Sequence, residues 1–151
     1  MDSYATFNDI LVRLFNEIMD IEEKAIITDE FKDITNNDMH VIEAIGISTM
    51  KNMSTIARAL SVTVGTLTIS MNSLVKKGYV VRNRSEKDRR VVYISLTEKG
   101  RKAYRHHEEF HKKMIDAMTK DLSQEETRVL VKALTNLRVF FRGYPIEETP
   151  Q

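Results

Sequence analysis

Four histidines are the side chains of this sequence best suited to chemistry at neutral pH: His40, His106, His107 and His111. His107 and His111 stand four apart, a spacing that puts both imidazoles on one face of a helix. A neighbouring helix carrying His40 could approach them. With a carboxylate from Glu22, Glu23 or Glu108, the set His40, His107 and His111 would make a nitrogen/oxygen zinc site. The favoured reading is a group of hydrogen-bonded histidines on a polar face or a cavity wall, because no thiolate is available and such spacing recurs without any metal; no cofactor is therefore expected, with zinc as the alternative. His106 and His107 beside Glu108 and Glu109 also hold the parts of an acid–base pair. No nucleophile motif, phosphate loop or paired catalytic carboxylate accompanies them, so the expectation is a protein that is not an enzyme. The sequence has no cysteine. That excludes a disulfide scaffold, thiolate zinc fingers and cysteine nucleophiles, and fits a reducing compartment.

The second chemistry is electrostatic. The formal net charge of +1 conceals a strong segregation. Residues 1–50 carry three basic and eleven acidic side chains, a net of −8, whereas residues 76–105 carry eleven basic and three acidic ones, a net of +8. Local field, not total charge, governs attraction to a polyanion. Arg84, Lys87, Arg89 and Arg90 concentrate it in one polar stretch. Asp88, among these cations, would oppose phosphate unless it orients an arginine through an ion pair.

These residues need elements to position them. A chain of 151 residues with 42% hydrophobic and 30% charged residues suits one soluble domain, or one domain with dimerising extensions. No apolar run approaches the ~20 residues that cross a bilayer, and the acidic, interrupted start is not a secretory signal, so no membrane partner and a cytoplasmic protein are expected. Apolar residues from Tyr4 to Ile21 recur at helical spacing. Thr35-Asn36-Asn37-Asp38 offers a helix start, with the helix ending at Gly46. Asn52 or Ser54 opens a short helix that Ser61-Val62-Thr63 interrupts. Another runs from Val64 to Lys77 and stops at Gly78. Tyr79-Val80-Val81 and Val91–Leu96 are β-branched and aromatic, as strands are, with a polar hairpin tip between them. A long helix follows from Thr97, and Ser123-Gln124-Glu125-Glu126 is a capping box for the last one. The tail after Gly143 is expected to fray.

Two short helices across a tight turn, then a charged hairpin, describe a winged helix-turn-helix. The fold expected is mainly α with a small β-hairpin wing, flanked by long N- and C-terminal dimerisation helices. Its segments are 1–34 (first helix and linker), 35–97 (DNA-binding domain) and 98–151 (C-terminal helices). Ile56, Leu60, Val62 and Leu67 are the expected shared core. Burying Leu67, Leu74 and Val75 turns Gly65, Thr66, Thr68, Ile69, Asn72 and Ser73 outward, with Lys76 at the same helix's end. Such short side chains fit a major groove and can meet base edges, phosphates or a thymine methyl. The cationic hairpin can reach the minor groove or the backbone.

The run Leu74-Val75-Lys76-Lys77-Gly78-Tyr79-Val80-Val81-Arg82, then Asp88-Arg89-Arg90, then Leu96-Thr97-Glu98-Lys99-Gly100, closely resembles the MarR family (multiple antibiotic resistance regulators) in order and spacing. The resemblance implies a homodimer whose first and last helices interlock, on a pseudopalindromic operator in double-stranded DNA. Phe31-Lys32-Asp33-Ile34, Met39-His40, Gly65-Thr66-Leu67-Thr68, Arg84-Ser85-Glu86, Asp88–Tyr93 and His107/Phe110-His111 resemble the FabT-type repressors of type II fatty-acid synthesis genes within it. That narrower resemblance implies long-chain acyl-acyl carrier protein as co-repressor and an apolar tunnel for the acyl chain. Its expected lining, from the first, second and fifth helices, is Phe15, Met19, Met39, His40, His107 and His111. A zinc-responsive regulator, and more distantly a helical protein-interaction module, are the alternatives. The eight methionines would suit an adaptable lipid-accommodating cavity, but such side chains more often fill ordinary cores, and that is the reading taken.

Overall fold

The computed structural model describes residues 2–28 and 30–144. Residues up to His111 form one compact unit, and those from Lys112 onward a second. The tail expected to fray lies, beyond Tyr144, outside the described residues.

Each boundary in the first unit has a local cause. Helix α1 (Ser3–Ile26) starts where the Asp2 side chain accepts from the Tyr4 amide. Helix α2 (Asn36–Ile45) opens on a reciprocal box: Thr35 Oγ1 accepts from the Asp38 amide at 3.1 Å, and Asp38 Oδ2 accepts from the Thr35 amide at 3.0 Å. A two-residue strand β1 (Lys51–Asn52) precedes α3 (Met53–Leu60), which Asn52 caps. Helix α4 (Val64–Lys77) is capped by Thr63 and ends at Gly78, where φ is +85°. Between α3 and α4 the chain turns on Ser61 at φ +54°, a left-handed conformation that non-glycine residues rarely hold.

Strands β2 (Val80–Arg84) and β3 (Val92–Leu96) pair antiparallel, Val80 opposite Leu96 and Arg84 opposite Val92. Strand β1 adds to the other side of β3, Lys51 opposite Ile94, so the sheet order is β1-β3-β2. The sequence pattern gives no sign of β1, because two residues show no alternation. Helix α5 (Glu98–Thr119) follows, and α6 (Gln124–Arg142) begins at the Ser123/Glu126 capping box.

The core of the first unit gathers Ile42, Ile45, Ile56, Leu67, Met71, Leu74, Tyr79 and Ile94, all essentially inaccessible. Each fully buried Leu, Ile or Met contributes roughly 1.5–3 kcal/mol. Two expectations need correction. Met71, four residues after Leu67, completes the inward face of α4, and Val75 stays exposed. Val62 is also exposed: it follows the left-handed Ser61 and lines an open cleft beside Leu60 and Leu67 instead of the closed core.

Tyr79 is the junction of this unit. Its carbonyl accepts from the Thr97 amide at 3.0 Å, while Thr97 Oγ1 donates to the Gly78 carbonyl at 2.6 Å and accepts from the Gly100 amide at 3.2 Å. Its hydroxyl donates to Asp33 Oδ1 at 2.7 Å, and Lys99 Nζ sits 4.3 Å from its ring centre. Burial and the Asp33 hydrogen bond raise the phenol's pKa, and the same bond lowers that of Asp33. Lys77, two residues before Tyr79, meets the buried Asp38 carboxylate through Nζ at 2.7 Å.

The remaining helices carry apolar faces without a cover within their own unit. On α1 only Ile26 is buried, while Phe7, Leu14, Phe15 and Met19 are exposed. No residue of α6 is buried, and Val129, Leu134, Phe140 and Phe141 are exposed.

A Cβ at Gly100 would overlap the Tyr79 carbonyl oxygen and come within 3.2 Å of Leu96 Cβ. Gly100→Ala is therefore expected to lose at least about 1–3 kcal/mol of stability in urea unfolding. Gly65→Ala, with nothing nearer than Thr63 Oγ1 at 3.9 Å, is expected to be neutral or to stabilise by up to about 1 kcal/mol.

Candidate nucleic-acid interface

Burial of Leu67, Met71 and Leu74 fixes the rotation of α4 and leaves its other face open. Gly65, Thr66, Thr68, Ile69, Asn72 and Lys76 are exposed and Ser73 is half-buried. Ile69 is the most protruding apolar group there, at 74% exposure. Local bonds already aim two hydroxyls. Thr66 Oγ1 accepts from Thr63 Oγ1 at 3.0 Å, and Thr68 Oγ1 donates to the Val64 carbonyl at 2.8 Å. The proton of Thr66 and the lone pairs of Thr68 remain for an outside partner.

Asn72 is held differently. Its Oδ1 accepts from the Arg82 guanidinium, which belongs to β2. Arg82 was not among the residues expected at the site. Its signal was the alternation Val80-Val81-Arg82, which puts Arg82 on the face of β2 that Val80 occupies.

The hairpin tip is built on side-chain caps. The Ser85 amide donates to the Val91 carbonyl at 2.9 Å, and Ser85 Oγ accepts from the Lys87 and Asp88 amides at 3.2 and 3.3 Å. Asp88 then grips Arg90 three ways: Oδ1 accepts from the Arg90 amide and from Nε at 3.0 Å, and Oδ2 from Nη2 at 3.0 Å. The guanidinium is oriented yet 90% exposed. Arg90 holds the Asp88 carboxyl below the usual carboxylate range. Arg84, Lys87 and Arg89 are exposed around it. The structure thus gathers four outward cations on one short tip, with its one pairing carboxylate already committed.

The histidines divide. His107 is buried, with Nε2 2.8 Å from Glu43 Oε1 and 3.2 Å from Glu22 Oε1, yet neither ring nitrogen makes a well-directed hydrogen bond. His111 Nε2 lies 3.0 Å from Glu22 Oε1. Glu22, His107 and His111 each offer a donor atom within 4.8 Å of the others, the set best able to hold a metal. His40 is outside it: its ring is largely exposed, with Nδ1 3.7 Å from Glu43 Oε2. The reason is register on α2, which turns Glu43 toward α5 and leaves His40 at the surface. His106 instead bonds the Ala25 carbonyl at 2.9 Å.

Of the six residues expected to line an effector tunnel, His107 and His111 meet with ring centres 4.2 Å apart. Phe15 and Met19 lie on the exposed stripe of α1, and Met39 is buried in the core. A cleft of about 600 Å³ opens between α2, α3 and α4, floored by Val41, Ala44, Leu60 and Leu67, and only His40 of the six reaches it.

Comparison with known proteins places this geometry. The family described as transcriptional regulator SarA/Rot matches residues 23–109. The HTH-type transcriptional regulator PchR of Bacillus subtilis is 30% identical over 115 residues, covering 74% of this chain and 68% of that protein. SarZ of Staphylococcus epidermidis is 32% identical over 111 residues, covering 72% and 74%. Among solved structures, Streptococcus pneumoniae FabT in complex with DNA is 43% identical, with a TM-score of 0.82 over 93% of this chain and 98% of that one. A MarR family transcription regulator at 15% identity shares the fold, with a TM-score of 0.74 over 93% and 91%.

The Glu43 carboxyl is held below the ordinary glutamate range, chiefly by His107 beside it. A lowered folded value stabilises above the unfolded value, near pH 4.3, and that contribution is lost as pH falls through the folded value. Glu43→Gln is therefore expected to flatten the acid side of the stability–pH curve below about pH 4.5. Thermal unfolding between pH 3 and 7 checks this, and an unchanged acid limb would count against the contact.

Proposed function

We propose, from the premise that the chain belongs to the SarA/Rot family of transcriptional regulators, that it is a dimeric winged-helix repressor acting on a pseudopalindromic operator in double-stranded DNA. One observation carries the reading: a helix face of small polar groups and a tip of four exposed cations occur in the same compact unit. The major groove admits an α-helix, so α4 presents Gly65, Thr66, Thr68, Ile69, Asn72 and Ser73 to base edges, with Lys76 toward phosphate. Arg84, Lys87, Arg89 and Arg90 take the minor groove or the backbone, and Asp88 orients Arg90. The exposed apolar faces of α1 and α6 supply the homodimer contact, which sets two copies of α4 about 34 Å apart for successive turns of duplex. The role needs no catalysis, and it places the protein in the cytoplasm, where such DNA lies.

The genes controlled are those of fatty-acid biosynthesis, and long-chain acyl-acyl carrier protein is the co-repressor. The likeness to FabT, at 43% identity over nearly the whole of both chains, supports this reading. A second effector reading rests on a different observation: His107 carries two buried ring nitrogens without well-directed partners. A divalent cation, zinc by the nitrogen/oxygen donor set, would be held by Glu22, His107 and His111, with Glu43 adjoining.

Gel shift with an A·T-rich pseudopalindromic duplex is expected to give binding that falls steeply with salt, because phosphate contacts release counterions. Arg90→Ala should weaken binding and lower the salt slope by about one. Unchanged affinity and slope would remove Arg90 from the interface. Acylated carrier protein should tighten operator binding where the unacylated form does not. Tightening by zinc, reversed by chelator and lost in His107→Ala, would favour the metal reading instead.

A further inference from the structure

The contact between Asn72 and Arg82 bears on which bases the chain selects, and it deepens the DNA-binding reading on which it rests. We infer that Arg82 is a specificity-determining positioning residue: by bonding Oδ1 of Asn72, it fixes Nδ2 as the free end of the amide and places a cation beside the oxygen, which tilts that position of α4 from adenine toward guanine or thymine.

The argument is one of donors and acceptors. An unengaged asparagine reads adenine bidentately, Nδ2 donating to N7 and Oδ1 accepting from the N6 amino group. A guanidinium has five donors and no acceptor, so its bond to Asn72 fixes the amide orientation, takes one of the two lone pairs of Oδ1 and sets a positive charge beside the other. Nδ2 is then the amide's free end, and it can only donate. The remaining N–H groups of Arg82 are donors too. The pair therefore suits guanine, which shows N7 and O6, or the O4 of thymine, and sets the N6 amino group of adenine against the donors and positive charge of Arg82.

The surroundings keep the pair together. Arg82 sits opposite the fully buried Ile94 in the sheet, so its backbone is anchored to the core. Asn72 lies between buried Met71 and the half-buried Ser73, on a helix whose rotation the core fixes. Among the described residues Arg82 makes no ion pair, and the Asn72 oxygen is its one side-chain hydrogen-bond partner. Both side chains are exposed, so the pair is open to a groove.

The experiment is selection from a randomised duplex pool with sequencing, using the full-length protein and its variants. Asn72→Ala identifies the operator position read, as the one whose preference flattens. In the unaltered protein that position is expected to enrich guanine or thymine over adenine. Arg82→Ala frees Oδ1 and should shift that position alone toward adenine by at least about fivefold. Arg82→Lys, which still donates, should keep the original preference. Two outcomes overturn the inference: enrichment of adenine there by the unaltered protein, or an Arg82→Ala variant that binds every duplex more weakly with the same base preference and a salt slope reduced by one, which would make Arg82 a phosphate contact. Failure to select any duplex would overturn the DNA reading itself, a result distinct from both. Thermal unfolding of each variant confirms that a changed preference comes from a folded protein.

Discussion

The backbone of Tyr79 is where three demands meet. Thr97 binds its carbonyl, Gly100 lies against that carbonyl with no room for a side chain, and the left-handed Gly78 turns α4 into β2. Because α4 ends and the wing begins within these few residues, their relative placement is set by short-range bonds and not by a long lever. The ring of Tyr79 adds a second grip through Asp33 and Lys99. A hydrogen bond contributes only about 0.5–1.5 kcal/mol net, so no single contact defines the junction. The absence of space at Gly100 does, since overlap costs more than any of these bonds returns.

Given that fixed geometry, the electrostatics follow. The acidic N-terminal third spends part of its charge inward: Asp33 on Tyr79, Asp38 on Lys77, and Glu22 and Glu43 on the histidines. The basic stretch gives Lys77 and Lys99 to those pairs and turns Arg84, Lys87, Arg89 and Arg90 outward, with Asp88 directing Arg90. An exposed pair of this kind adds little stability, typically 0–1 kcal/mol. Its value is directional, because a guanidinium held from one side presents its remaining donors in a defined direction. Segregation of charge along the sequence thus becomes segregation between interior pairing and exterior field.

Much of this was legible before any coordinates. Ser61-Val62-Thr63 separates α4 from α3 and Gly78 stops it, so limits of about Val64 to Lys77 could be read, and they are the helix's own. The Ser123 box and the Gly46 stop served equally well. What failed were features with no local code. Strand β1 exists only because β3 offers it an edge. Val75 and Met71 both sit at helical spacings from Leu67, and only the neighbouring elements decide which is covered. His40 and Glu43 lie three apart on α2, so a modest rotation of that helix decides which faces His107. The Asn72–Arg82 contact joins residues ten apart across a turn, and neither type announces the other.

Helix α2 also settles how a distant site and α4 can be related. At one end it holds α4 twice, through Asn37 Nδ2 to Ser70 Oγ at 3.2 Å and through Asp38 to Lys77 at 2.7 Å. Five and six residues after Asp38, Glu43 meets His107 of α5, and the Ala44 carbonyl takes Lys51 Nζ at 2.9 Å beside β1. A ligand changes affinity elsewhere only if it binds two arrangements of the protein unequally. The residues able to distinguish such arrangements are those bonded on both sides of α2, since its buried face, Met39, Val41, Ile42 and Ile45, is close-packed and transmits displacement without absorbing it. A ligand that bound two placements of Glu43 unequally would have these bonds of α2 as its route to α4.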